Sequence, residues 1–267
     1  MNYSVVTTCN REGWKQYGER MVTSFLKNWG SVVPLSVYVE GFKLPVYAPT
    51  LEVHGFNLIE KGLWLRDFKE RNANRTPRDR MRAGVAADYI HDAVRFSHKV
   101  AAMIAESDRL RKEGKVDVMI WLDADTVTHS PVEMDWLDRI FPPGYTLGLL
   151  QRDNPKYSET GCIMFNLRDD ALGWFLAALN AMYEADLIFT LDGWTDCHAI
   201  DHAAKCVEVK GCKVFDLSGP GHHTTHPFIN GPLGQCMDHL KGDKRKKRGR
   251  SQVQDLRLRR TEEYWAR

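Results

Sequence analysis

The stretch Val116-Asp117-Val118-Met119-Ile120-Trp121-Leu122-Asp123-Ala124-Asp125-Thr126 decides how the rest of the chain is read. Its first seven residues carry one polar side chain, Asp117, and are apolar enough for a strand buried in the middle of a sheet. Two carboxylates, Asp123 and Asp125, stand at i and i+2 where that strand ends. On the strand they share a face; in the turn leaving it, both can approach one divalent cation. Mg²⁺ and Mn²⁺ take oxygen ligands, typically one or two carboxylates plus substrate phosphates. Ligands also gather at the C-terminal edge of open α/β sheets. An Asp-x-Asp pair in an ordinary surface turn is only a solvated charge. The apolar strand in front of this pair makes it a candidate cation site.

Outward from that strand, strand and helix signals alternate, as in an α/β fold. Tyr3–Thr8 reads as a buried strand, and Trp14, Tyr17, Met21, Phe25 and Trp29, with Gly18, Val22 and Leu26, trace a helical face. Leu35–Val39 is a second strand, and Phe96, Val100, Met103 and Ile104 mark a helix ending near Arg111. Ser130-Pro131-Val132-Glu133 has the form of a capping box with proline at the first helical position. It predicts a helix with Val132, Trp136, Leu137 and Ile140 inward. Thr146–Leu150, Cys162–Leu167 and Val214–Asp216 are further strands, and Leu172, Phe175, Leu176, Leu179, Met182 and Tyr183 another helical face.

The 267 residues, 43% hydrophobic, suit one α/β domain with an extension, divided here as 1–240 and 241–267. The N-terminus does not resemble a secretory signal, and no apolar run approaches the roughly 18 residues of a membrane helix, which predicts a soluble cytoplasmic protein. Six cysteines without a C-x-x-C pair read as reduced, small apolar residues. The net charge of +2 conceals an asymmetry. From Lys241 onward eleven Lys/Arg face four acids, giving +7, and the first 240 residues carry −5. That tail is too charged to be expected in the core.

VMIWLDADTVT closely resembles the Asp-x-Asp strand of GT-A fold glycosyltransferases, particularly the glycogenin and lipopolysaccharide-galactosyltransferase group. The resemblance implies a single Rossmann-like domain with a mixed central sheet flanked by helices, a nucleotide-sugar donor, commonly a UDP-sugar, and bound Mn²⁺ or Mg²⁺. Other segments agree in chain order over most of residues 3–245. Tyr3–Thr8 is similar to the opening strand, which places Thr7 and Thr8 at the nucleotide. Arg95 and Lys99 lie where the family has a basic donor contact. Thr160-Gly161-Cys162-Ile163-Met164 resembles the Asn-Ser-Gly-Val-Met strand at the donor sugar, with Glu159 standing where asparagine is expected. Asp192-Gly193-Trp194-Thr195-Asp196 resembles the later acidic motif, with Asp192 at the donor and Asp196 facing the transferred sugar. His239-Leu240-Lys241-Gly242-Asp243-Lys244-Arg245 is similar to a His-x-x-Gly-x-x-Lys motif, with arginine at its last position, which implies His239 as a third metal ligand beside Asp123 and Asp125, and Gly242 and Lys244 at the diphosphate. The family's Pro-Trp ending is absent.

Each residue has a plainer structural reading. Arg95 and Lys99 are ordinary charges on an amphipathic helix. Asp192 and Asp196 are potential helix caps. His222, His223 and His226 sit in a Gly/Pro loop without helical metal spacing, and read as loop or acceptor-side residues rather than a zinc site. What joins the set is the charge of sugar transfer: the leaving nucleotide diphosphate gains negative charge that a metal and Lys99 or Lys244 offset. An inverting enzyme also needs a carboxylate base, for which Asp196 and Glu159 are the candidates; a retaining one does not.

Arg71–Arg82 and Lys244–Arg250 form two basic segments. They read as solvated loops or as a groove for a polyanionic acceptor such as hydroxymethylated phage DNA. A glycan or protein acceptor remains open. So do a nucleotidyltransferase, which shares paired carboxylates but usually shows a Gly-rich loop after the first strand, and a non-catalytic nucleic-acid-binding protein.

Overall fold

The computed structural model describes residues 1–30, 33–45, 47, 53–75, 89–153, 157–220 and 226–266. Strand β1 (Tyr3–Asn10) is buried along nearly all its length, so its side chains need apolar cover on both faces. It pairs in parallel with β2 (Leu35–Glu40) on one side and β4 (Val118–Leu122) on the other. Strand β3 (Val53–Asn57) extends that edge in parallel. On the far side β7 (Glu159–Asn166) runs antiparallel to β4 and to β6 (Leu147–Leu150), and β8 (Val214–Asp216) pairs in parallel with β6. The sheet order is β3-β2-β1-β4-β7-β6-β8. A separate ribbon of β5 (Thr126–Thr128) and β9 (Met237–His239) is antiparallel.

Alternate residues of β4 enter opposite cores: Met119 and Trp121 on one face, Val118, Ile120 and Leu122 on the other. A helix through residues 11–28, here α1, covers the second face with Trp14, Met21, Val22 and Phe25; a π-helical turn at Trp14–Gly18 interrupts it. The first face is covered by α2 (Ala93–Glu113), α4 (Ala171–Glu184) and α5 (Asp196–Cys206), all contributing buried apolar residues. Helix α2 ends at Gly114, whose positive φ of 65° closes the last turn as a side chain with a Cβ rarely does.

Three expectations are corrected. Helix α3 (Met134–Ile140) starts after the expected capping box: Glu133 is its extended N-cap and makes no side-chain capping bond. The backbone before it is committed elsewhere. His129 and Ser130 N–H groups donate to the Cys236 carbonyl, and Val132 N–H donates to the Asn28 carbonyl. The N-cap position of α5 falls on Thr195, which makes no side-chain capping bond, and Asp196 is the first helical residue. The chain after Lys241 also reaches the core. Trp265 is buried in the α1-side cluster and donates its indole N–H to the Gly234 carbonyl at 2.8 Å, and α6 (Asp243–Arg248) forms within the basic run. The cysteines of the structure are free thiols. No helix among the described residues is long and apolar enough to cross a membrane.

Candidate active site

Strand order places β1 beside β4, with crossovers leaving in opposite directions, so their C-terminal ends flank a topological switch point. Asp123 follows β4 directly, and its N–H donates to the Gly161 carbonyl at 2.9 Å. The β5–β9 ribbon pairs Thr126 with His239, and Leu240 N–H donates to the Asp125 carbonyl at 2.9 Å. Segments far apart in sequence are thereby set side by side. His239 Nε2 lies 3.2 Å from Asp125 Oδ1 and 3.5 Å from Asp123 Oδ2. The ligand atoms of all three residues lie within 4.8 Å of one another, one nitrogen and two carboxylates around a common point.

The other ring nitrogen is held from behind: His239 Nδ1 is 2.9 Å from Glu159 Oε1. Glu159 is a fully buried carboxylate gripped by Arg152 at 2.8 Å and Lys241 at 3.3 Å, with His226 at 3.4 Å. Burial alone would raise its pKa, but the imidazoles and Lys241 outweigh it and hold the carboxyl well below the ordinary range. A carboxylate behind a ligating imidazole fixes the ring's tautomer and aim, so the donor set fits a divalent cation. Gly161 makes room for the ring: a Cβ there would lie 2.6 Å from His239 Cε1 and Nδ1.

Lys99 is buried and spans the two halves of the site. Its ammonium is 2.8 Å from Asp123 Oδ1 and 2.8 Å from Asp196 Oδ2, and it also donates to the Thr160 carbonyl. Burial disfavours the charge, yet Asp123 and Asp196 together raise its pKa above the usual lysine value. Asp123 is held low in turn, burial being outweighed by Lys99 and His239. Trp121 Nε1 donates to Asp123 Oδ1 at 2.8 Å, and the Thr160 hydroxyl donates to Asp196 Oδ2 at 2.6 Å.

Two cavities meet at Lys99 and Asp123. The first, about 300 Å³, is lined by Thr8, Tyr17, Glu40, Arg95, Asp125 and Lys246 among others. The second, about 470 Å³, is lined by Tyr157, Glu159, Gly161, Asp196, His198 and His239 among others. In the first, Glu40 is pulled down to about 2 by His98, with Lys69 adding to it against burial. In the second, the Tyr157 ring lies on His198 with centroids 3.7 Å apart.

Thus Asp123, Asp125, His239, Glu159, Thr160, Gly161, Lys99 and Asp196 come together, and Thr8 and Arg95 line the adjoining cavity. Thr7 is buried one residue deeper in β1. Asp192 is exposed and lines neither cavity. Gly242 caps α6 at a φ of 85°, and Lys244 points to solvent. Of the lysines on α6, Lys246 reaches the site: its Nζ is 3.0 Å from Asp125 Oδ2 and 4.6 Å from the Tyr17 ring centroid. The last position of the His-x-x-Gly-x-x-Lys pattern falls on Arg245, and the resemblance had implied its neighbour Lys244. A helix starting at Asp243 carries the residue two further on toward Asp125 instead. Arg152 had no sequence signal at all, Tyr17 was read only as part of a helical face, and His226 only as a loop or acceptor-side residue. His222, His223, Arg78, Arg80 and Arg82 lie outside the described residues.

No protein-family model matches this chain, and no curated protein matches it in sequence. Solved structures do. The apo form of mouse xyloside xylosyltransferase 1 is 10% identical over 81% of this chain and 85% of that one, with a TM-score of 0.45. The apo WbbM bifunctional glycosyltransferase is 13% identical over 90% of this chain and 46% of that one, with a TM-score of 0.53. The likeness to WbbM is one of fold, and this chain spans less than half of that protein. The mixed sheet flanked by helices is the single GT-A arrangement expected from the sequence. The glycogenin group is not singled out.

Proposed function

We propose that the chain is a divalent-metal-dependent glycosyltransferase that moves a hexose from a nucleotide-sugar to an acceptor hydroxyl. The observation that carries this reading is the convergence of Asp123, Asp125 and His239 where two cavities join, with His239 aimed from behind by Glu159. The nucleotide fits the cavity at the end of β1, and the sugar with its acceptor fits the one lined by Asp196. A UDP donor follows the sequence resemblance alone.

Asp123, Asp125 and His239 would hold Mn²⁺ or Mg²⁺, which supplies Lewis-acid stabilisation of the charge on the leaving diphosphate. Lys246 adds a cation on the same side. Lys99 ties the carboxylate at the donor to the one at the sugar. Asp196 is the proposed carboxylate facing the transferred sugar. Glu159 is assigned the orienting role instead, because both its oxygens are engaged by His239, His226, Arg152 and Lys241.

The test is nucleotide release from a panel of nucleotide-sugars with and without Mn²⁺. Metal-stimulated release from at least one donor is the expected result. Nucleoside triphosphates turned over with release of pyrophosphate, while nucleotide-sugars stay intact, would replace this reading with a nucleotidyltransferase. Two variants probe the residue roles. Glu159→Gln keeps the shape but loosens His239, and Mn²⁺ affinity measured by calorimetry should fall roughly 10–100-fold; an unchanged affinity removes the orienting role. Lys246→Ala should raise the donor KM about tenfold or more, as a charge-assisted contact is worth about 1.5–3 kcal/mol. Lys244→Ala should leave KM unchanged, and the reverse pattern would restore Lys244 as the diphosphate contact.

A further inference from the structure

The charge asymmetry is not explained by the active site. Arg71 is tied to the end of α4 through the Tyr183 and Glu184 carbonyls and Asp186, and the Arg75 guanidinium lies 4.4 Å from the Phe189 ring centroid. Arg245 pairs with Asp255, and Arg250 stacks on Tyr264. These arginines serve the fold. Lys244, Lys247 and Arg248 on α6 do not: they are exposed and form no ion pair among the described residues.

They are joined by cations the sequence placed far away. Arg20 of α1 donates to the Lys246 carbonyl at 3.2 Å, bringing the outer face of α1 against α6. That face carries Lys15, Arg20 and Lys27, all exposed, along a groove of about 540 Å³. The floor is polar, with Thr23, Ser24, Asn28 and Thr128, and the one acid lining it is Glu19. Lys15 and Lys27 likewise form no ion pair among the described residues. Lys15, Arg20 and Lys27 thus line one polar groove that meets the nucleotide-side cavity through Tyr17, and Lys244, Lys247 and Arg248 lie on the helix that Arg20 ties to it.

We infer that the α1–α6 face docks the phosphodiester backbone of a nucleic acid. Successive phosphates match a groove lined by exposed Lys15, Arg20 and Lys27, and hydroxyl and amide groups on its floor suit phosphate and sugar oxygens. A membrane surface fits less well. Peripheral anchoring draws on apolar side chains as well as charge, and none of the exposed large hydrophobic residues, such as Leu63, Trp174 and Val209, lines this groove. The dock stands independently of the sugar-transfer reading.

The experiment is fluorescence anisotropy of a mixed-sequence DNA duplex of about 24 base pairs, titrated with the full chain from about 50 to 200 mM salt. The face variant combines Lys15→Gln, Lys27→Gln, Lys247→Gln and Arg248→Gln, none of which touches the metal site. A control variant removes the same charge elsewhere through Lys43→Gln, Lys61→Gln, Lys112→Gln and Lys205→Gln. The wild type should bind with a steep salt dependence. The face variant should bind at least about tenfold more weakly at about 100 mM salt, with a log–log slope shallower by up to about 3–4, near 0.9 per lost phosphate contact. The control should keep the wild-type slope, and Mn²⁺-stimulated nucleotide release should persist in both variants. No duplex binding by the wild type, a face variant equal to wild type, or a control variant as weak as the face variant would each overturn the inference. So would binding to vesicles of anionic lipid with none to the duplex, which would assign the face to a membrane.

Discussion

Asp125→Ala is expected to lower turnover by roughly a thousandfold or more while the protein stays folded. The carboxylate is one of three side chains aimed at a common point, with His239 Nε2 at 3.2 Å and Lys246 Nζ at 3.0 Å. Without it a bound cation would lose a ligand, and with weaker binding of that cation a donor diphosphate would lose counter-charge. Metal stabilisation of a leaving group is worth several kcal/mol, and about 4 kcal/mol corresponds to a thousandfold. The fold does not depend on the side chain, because the β5–β9 ribbon is held by backbone bonds, among them Leu240 N–H to the Asp125 carbonyl at 2.9 Å. Single-turnover transfer with a circular-dichroism melt checks both halves. Full turnover in the variant, or in chelator-treated wild type, would remove the metal from the reaction. The pH dependence has a fixed sign. Although burial opposes its charge, His239 is driven well above the usual imidazole pKa by Asp125, Asp123 and Glu159, so without metal the ring holds a proton. A metal must displace that proton, and Mn²⁺ affinity should rise with pH through the neutral range.

Much of this was legible because it is local. An apolar strand ending in two carboxylates specifies its own burial and the direction of its turn, and VMIWL entered the sheet where its composition requires. The helical face from Trp14 to Phe25 was legible for the same reason, though its π turn was not. What stayed illegible depends on where distant segments meet. Periodicity did not detect β5 or β9, each three residues long, yet their pairing puts His239 on Asp125. The same pairing draws residues 129–132 away from the helix start that Ser130-Pro131-Val132-Glu133 suggests. Glu159 read as a possible base because sequence shows its type and its place before Thr160-Gly161. It does not show that Arg152, His239 and Lys241 surround both oxygens. The tail misled for a related reason. Its charge is real, but Trp265 is buried in the core, and Tyr264 and Arg260 bond back to Asp238 and the Ile229 carbonyl.

Lys99→Met is expected to be the most destabilising single change in the site. The ammonium sits 2.8 Å from carboxylates on two different elements, Asp123 after β4 and Asp196 at the start of α5. Both lie in or beside the core, with Asp196 only 5% exposed. A methionine fills a similar volume but leaves two like charges without the ammonium that joins them. Breaking a buried ion pair from one side costs about 3–5 kcal/mol, which in a domain of this size lowers Tm by roughly 6–20 °C. The loss should depend on pH with a definite sign. Against burial, Lys99 and His239 depress Asp123 in the folded protein, so the stability from that depression is present above the unfolded carboxyl pKa, near 4. It is lost as pH falls toward the folded value, so the gap between variant and wild type should be full at neutral pH and narrow below about pH 4. Because the damage is an uncompensated charge rather than a lost shape, Lys99→Met with Asp196→Asn should recover part of the stability, though not the activity. A single variant as stable as wild type at pH 7, or a double variant that recovers nothing, would show that Lys99 is not the tie between the two halves of the site.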